Sequence, residues 1–131
     1  MKPGAIVSWK DFTFHDGDQA DKLLVVLNAG GKLPYLVVRT TSQQHHREAK
    51  EGCHARRGYY FLPANPKWPR KNTWILLGDP YEIEAAACLQ AHFRGDVRII
   101  HELDQKITSA LVNCFLQSDD CSDHHRKLLG R

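Results

Sequence analysis

The sequence predicts a mainly β domain of the α+β class: a small, partly open barrel of five to six short antiparallel strands, with a short helix and a C-terminal helix packed on it. Three observations predict it. Short β-branched and aromatic runs, separated by turns rich in Gly, Pro and Asp, fill the first three quarters of the chain. One alanine-rich stretch reads as a short helix. After Leu103 the apolar residues fall at the spacing of a single helix face. The 131 residues, 42% apolar and 25% charged, suit one domain with its own core at about residues 3–117 and a polar tail at 118–131.

The elements follow in order. Ala5-Ile6-Val7-Ser8-Trp9 and Asp11-Phe12-Thr13-Phe14 make a first strand with a bend or bulge between them, and His15-Asp16-Gly17-Asp18 is turn chemistry. Lys22 to Asn28 is almost wholly apolar, as a strand buried on both faces would be, so the two strands form a hairpin. Asn28-Ala29-Gly30-Gly31-Lys32 turns the chain into a third strand, Tyr35 to Thr41. Ser42 to Arg57 lacks any sustained period and reads as a mobile surface loop. Gly58 to Leu62 is a fourth strand, and Pro63, Pro66 and Pro69 punctuate another loop. Thr73 to Leu77 is a fifth strand ended by Gly78-Asp79-Pro80. Glu84 to Phe93 is the short helix, with Gly95 as its stop, and Asp96 to His101 is a sixth strand. Leu103, Ile107, Leu111 and Cys114 or Phe115 line one face of the last helix, capped by Asp104 or a polar neighbour. The tail beyond Ser118 is expected to fray.

Composition excludes several classes. Apolar runs such as Leu23 to Leu27 are far too short to cross a bilayer, and no apolar signal region follows Met1-Lys2-Pro3-Gly4, so a cytoplasmic protein is expected. Four cysteines without tight spacing suggest reduced thiols, with Cys88 and Cys114 as small buried hydrophobes. His45-His46 with Cys53-His54, and Cys121 with His124-His125, offer zinc's ligand types, yet no Cys-x-x-Cys accompanies them and no metal or other cofactor is expected. Charge is uneven. Between His45 and Asn72 stand seven basic residues and two acids, interleaved with Tyr59, Tyr60, Phe61 and Trp68. That mixture suits a single-stranded nucleic acid, whose phosphates attract cations and whose bases stack on rings, and it nominates Arg56, Arg57 and Trp68; the alternative is that Tyr59 and Phe61 face the core and the charges form a solvated rim.

Four landmarks together resemble the MazF/PemK toxin family: Gly4-Ala5-Ile6-Val7 with Asp11-Phe12 behind it, the strand Leu23-Leu24-Val25-Val26-Leu27-Asn28, the strand end Thr41-Ser42-Gln43, and the closing helix after Leu103. The resemblance implies an SH3-like barrel and an endoribonuclease of a type II toxin-antitoxin pair. In such enzymes the ribose 2′-hydroxyl attacks the adjacent phosphorus without a metal and leaves a cyclic phosphate. It also implies a homodimer that binds single-stranded RNA or an acidic antitoxin tail, and no membrane partner. Carried onto this sequence, it makes Lys22, Thr41, Ser42 and His15 the catalytic candidates, with Gln43 and Arg39 joining Arg56, Arg57 and Trp68 as RNA-binding residues. The chain departs from the family at two places. Asp21-Lys22 stands where Arg-Pro is usual, and Ile75-Leu76-Leu77-Gly78 stands where some members carry an Arg and an Asp. Those departures define the alternative, a non-catalytic barrel that binds RNA or a protein partner.

Overall fold

The computed structural model describes residues 1–131. Its strands are β1 (Ala5–Thr13), β2 (Gln19–Val26), β3 (Tyr35–Thr41), β4 (Gly52–His54), β5 (Tyr59–Leu62), β6 (Thr73–Ile83) and β7 (Val97–Glu102). Its helices are α1 (Ala85–Phe93), α2 (Gln105–Gln117) and α3 (Asp123–Leu128). All seven strands form one sheet in the order β4-β5-β6-β3-β2-β1-β7, every neighbouring pair antiparallel. No helix is long and apolar enough to cross a membrane.

Side chains two apart on a strand share a face, and both faces of this sheet are covered near its centre. Ile6, Val25, Leu36, Val38, Ile75 and Leu77 pack on one side against Leu111, Val112 and Phe115 of α2 and Leu128 of α3. Val7, Leu24, Val26, Val37 and Tyr81 face the other side, with Ala91 of α1 and Val97 of β7. This explains the unbroken apolar run in β2, where Leu24, Val25 and Val26 are all fully buried. Buried Asn28 ends that run by bonding three backbone groups: its amide nitrogen donates to the carbonyls of Pro34 and Leu128, and its oxygen accepts from Leu36 N–H. It thereby closes the β2–β3 turn and docks α3. Gly30 in that turn has φ +67°, and a Cβ there would lie 2.2 Å from the Tyr35 ring, so only glycine fits.

The structure corrects four sequence expectations. There are seven strands rather than five or six, because β4 forms inside the expected loop of residues 42–57. Gly78-Asp79-Pro80 does not end its strand. β6 runs on through it to Ile83, absorbing the turn residues in a register shift against β3 between Val37 and Arg39. The tail does not fray at once: α3 is fixed by a capping box in which Ser122 and His125 each accept the other's backbone N–H, and Leu128 is buried. Finally, Cys53 and Cys114 are not thiols. They form a disulfide that ties edge strand β4 to α2, leaving Cys88 and Cys121 free. The bend expected in β1 is present as a register shift between Trp9 and Phe12, with Asp11 at φ 54°. Asp104 caps α2 by accepting from Ile107 N–H at 2.8 Å.

Three groups in and around these cores have alkaline consequences. Burial pushes the Tyr60 phenol above its ordinary pKa, and the carboxylates of Glu51 and Asp104 add to the shift. Burial likewise raises the Cys88 thiol, against a smaller opposing effect of the N-terminal ammonium. It also raises the Cys121 thiol, where Arg126 opposes and Asp123 adds. Each group releases its proton at lower pH when unfolded, so its contribution is complete below the unfolded pKa and is lost as pH climbs through the folded one. Urea midpoints are therefore expected to start falling at about pH 9 and to fall further towards about pH 11, with a shallower decline in Tyr60→Phe. A midpoint that holds level across that range would contradict this account.

Candidate active site

The β-bulge in β6 gathers a group of polar side chains around Asp79. Asp79 sits in it at φ 56°, a left-handed conformation that Asp tolerates better than most residues, and the irregular backbone turns its carboxylate towards the β1–β2 turn. There His15 Nε2 lies 3.2 Å from Asp79 Oδ1 and 3.3 Å from the Pro80 carbonyl oxygen. Both neighbours of Nε2 are acceptors, so a neutral ring carries its proton on Nε2, and Nδ1 is left as the proton acceptor. The imidazole is stacked flat on Tyr81, with ring centroids 3.9 Å apart and planes at 6°. The Tyr81 hydroxyl accepts the His15 backbone N–H at 3.2 Å and stands 3.4 Å from Asp79 Oδ2. His15 is thus held at its ring face, at its main chain and at one nitrogen, although its side chain is 56% exposed.

Arg39 enters from β3. Its guanidinium lies 5.4 Å from the Phe14 ring centroid and 5.8 Å from that of Tyr81, with Nη2 3.6 Å from Asp79 Oδ2. Its buried Nε–H has no hydrogen-bond partner. The ammonium of Lys22, on β2, lies 5.8 Å from the same Phe14 ring. Phe14 therefore carries two cations against its π system, which attracts both and keeps them at one end of the sheet. Leu24 pairs with Arg39 across β2 and β3. Continuing that register by two residues sets Lys22 beside Thr41, and the bond from Thr40 Oγ1 to the Leu23 carbonyl holds it there. Lys22, Arg39 and Thr41 thus lie on one face. Thr41 Oγ1 accepts the Gln43 N–H at 3.2 Å, which leaves its own proton free to donate.

The structure thus brings His15, Lys22, Arg39 and Thr41 to one region, with Ser42 and Gln43 exposed at its border. Arg56 and Arg57 lie farther along, in a 3-10 turn between β4 and β5, with Arg57 Nη2 3.7 Å from Glu48 Oε1. Trp68 is not part of this face. It packs on the α2 side of the sheet and stacks against His101. Asp21 has a backbone job: it accepts the N–H of bulged Asp11 at 2.9 Å.

Phe14, Asp79 and Tyr81 were not among the sequence candidates. The available signal was Gly-Asp-Pro embedded in a long strand-like run, which fits a bulge as well as a turn, but nothing local couples it to His15. Several of the possible metal ligands are otherwise engaged. Cys53 is in the disulfide, His54 Nε2 bonds the Lys50 carbonyl, His124 bonds Glu82, and His125 caps α3. No group of three or more His, Cys, Asp or Glu residues is arranged to hold a metal ion.

Chemically, the face combines a positioned imidazole, two cations, a hydroxyl donor and one carboxylate. Such a set can grip a phosphodiester and move a proton beside it. No protein-family model matches this chain, and no curated protein does.

Proposed function

We propose that this protein is a MazF/PemK-like endoribonuclease, the toxin of a toxin-antitoxin pair, which cuts single-stranded RNA on an SH3-like barrel by attack of the 2′-hydroxyl. The observation that carries the reading is the meeting of His15, Lys22, Arg39 and Thr41 around Phe14 and Asp79. In this reading His15 Nδ1 takes the 2′-hydroxyl proton as the 2′-oxygen bonds to phosphorus, and the bond from phosphorus to the 5′-oxygen breaks. The leaving oxygen takes a proton from solvent or from the imidazolium. Arg39 and Lys22 hold the non-bridging oxygens, and the Thr41 hydroxyl donates to one of them as negative charge builds. Asp79 keeps the ring in its productive tautomer and stabilises the imidazolium once formed. No step needs a metal. A homodimer, and an acidic antitoxin segment that competes for the cationic face, complete the proposal.

Its test is direct. Purified protein incubated in EDTA with single-stranded RNA is expected to produce fragments ending in 2′,3′-cyclic phosphate and to leave single-stranded DNA uncut, because DNA lacks the nucleophile. RNA left intact would refute the nuclease. If intact RNA is nevertheless bound, and released by salt, the non-catalytic alternative takes its place. The cytoplasmic address expected from the sequence belongs to this proposal, since that is where RNA and an antitoxin are met.

A further inference from the structure

The cationic end of this sheet face continues into an aromatic end to which a single polar segment is bonded. Cross-strand register shows the continuity. Thr41 pairs with Trp74 and Trp74 with Phe61, while Arg39 pairs with Leu76 and Leu76 with Tyr59. These two rows run across β3, β6 and β5 on the same side, so the face that presents Lys22, Arg39 and Thr41 leads without a break to Tyr59, Phe61 and Trp74. The three rings form a cluster separate from the main cores, each only 2% exposed.

Residues 42–51 form a strap bonded to two of them, Tyr59 and Trp74, through Glu48. Apart from half-buried Arg47, every side chain of this strap is exposed, so it adds almost no apolar packing of its own. Its attachment centres on Glu48. The Glu48 N–H donates to the Tyr59 hydroxyl at 2.8 Å, Trp74 Nε1–H donates to the Glu48 carbonyl at 2.9 Å, and the Glu48 carboxylate meets Arg57 at 3.7 Å on the surface. A surface ion pair adds little in water, so the two bonds to the Glu48 main chain, with a third from His54 Nε2 to the Lys50 carbonyl at 2.7 Å, hold the strap. Immediately beyond it, Cys53 is bonded to Cys114. That anchors one end of the strap.

We propose that Tyr59, Phe61 and Trp74 form a base-stacking platform for single-stranded RNA, closed in the free protein by the strap and opened when RNA displaces the Glu48 contacts. This rests on the reading above that the face takes RNA. Phosphates lie over Lys22 and Arg39, and the neighbouring bases stack on rings one and two strands away. Cations flanking sheet-borne aromatics serve single strands of any sequence, since every base has a π face. Tyr59 has a double role: its ring belongs to the platform and its hydroxyl is half of the latch.

The experiment measures anisotropy of a short fluorescent RNA made non-cleavable by 2′-O-methyl groups. Tyr59→Phe keeps the ring and removes a latch bond, so it is expected to bind about 5-fold more tightly than wild type. Phe61→Leu keeps an apolar side chain and loses the π face, so it is expected to bind about 5-fold or more weaker. Binding unchanged or weakened in Tyr59→Phe overturns the latch, and Phe61→Leu within about 2-fold of wild type overturns the platform. Should Phe61→Leu fail to fold, hydrogen exchange in wild-type protein decides the matter. RNA is expected to speed exchange at Glu48 and its neighbours, and slowed or unaltered exchange overturns the proposal. The two readings fail separately. Normal cleavage with an unmoved strap removes the platform alone, whereas tight, strap-opening binding without cleavage removes the nuclease alone.

Discussion

Replacing His15 with alanine is expected to lower the rate of RNA cleavage by about 10²- to 10⁴-fold, the usual contribution of a positioned acid–base group. Binding of uncut RNA should change little, because cations supply most of the attraction for phosphate. The reason lies in how the ring is held: Tyr81 fixes its plane, the Asp79 carboxylate and the Pro80 carbonyl fix its tautomer, and one nitrogen is left to work. Asp79→Asn is then expected to impair cleavage less than His15→Ala, since an amide side chain can turn its nitrogen towards Nε2 and favour the wrong tautomer without removing the base. Arg39→Lys keeps the charge but loses the planar fork that stacks on Phe14 and Tyr81, so it should weaken transition-state binding more than a like-for-like exchange of charge suggests. Single-turnover rates at several pH values separate these effects. A His15→Ala enzyme within about 3-fold of wild type would remove the imidazole from the mechanism.

Breaking the disulfide should have the largest effect on stability. Cys53 and Cys114 are 61 residues apart, and closing a loop of that length removes enough chain entropy from the unfolded state to stabilise the fold by about 4 kcal/mol in the simplest model, with measured values more often 2–4. The double variant Cys53→Ala/Cys114→Ala is expected to lose about 2–4 kcal/mol in urea unfolding and on the order of 10 °C in Tm. A dithiol reductant should reproduce the loss in wild type and leave the variant unaffected. The loss should also be uneven across the molecule. β4 is a three-residue edge strand with one strand neighbour, so its amides, and those of the strap before it, should exchange fastest once the bond is gone. Equal stability of oxidised and reduced protein would show that the bond does not support the fold.

Local pattern alone fixed a good part of this. The β-branched residues in Ala5 to Trp9 and Tyr35 to Thr41, the apolar run of β2, the three alanines of α1 and the capped, one-sided α2 each follow from short-range sterics and from the requirement that apolar faces find cover. The same patterns put Lys22 near the start of one strand and Thr41 at the end of its neighbour, so their shared face followed once β2 and β3 paired. Tertiary structure decided whatever depends on residues far apart in the chain. Asp79 reaches His15 and Arg39 only because β6 bulges where its own residues read as a turn. Cys53 meets Cys114 only because α2 lies beside an edge strand too short to announce itself. Tyr59 and Phe61, whose strand could present them to RNA or to the core, are buried with Trp74, and Trp68 is turned to the opposite side of the sheet. The physical reason is common to all three. Periodicity states which face a residue takes along its own strand, while the partner across space is set by strand order, bulges and packing, and these are properties of the assembled sheet.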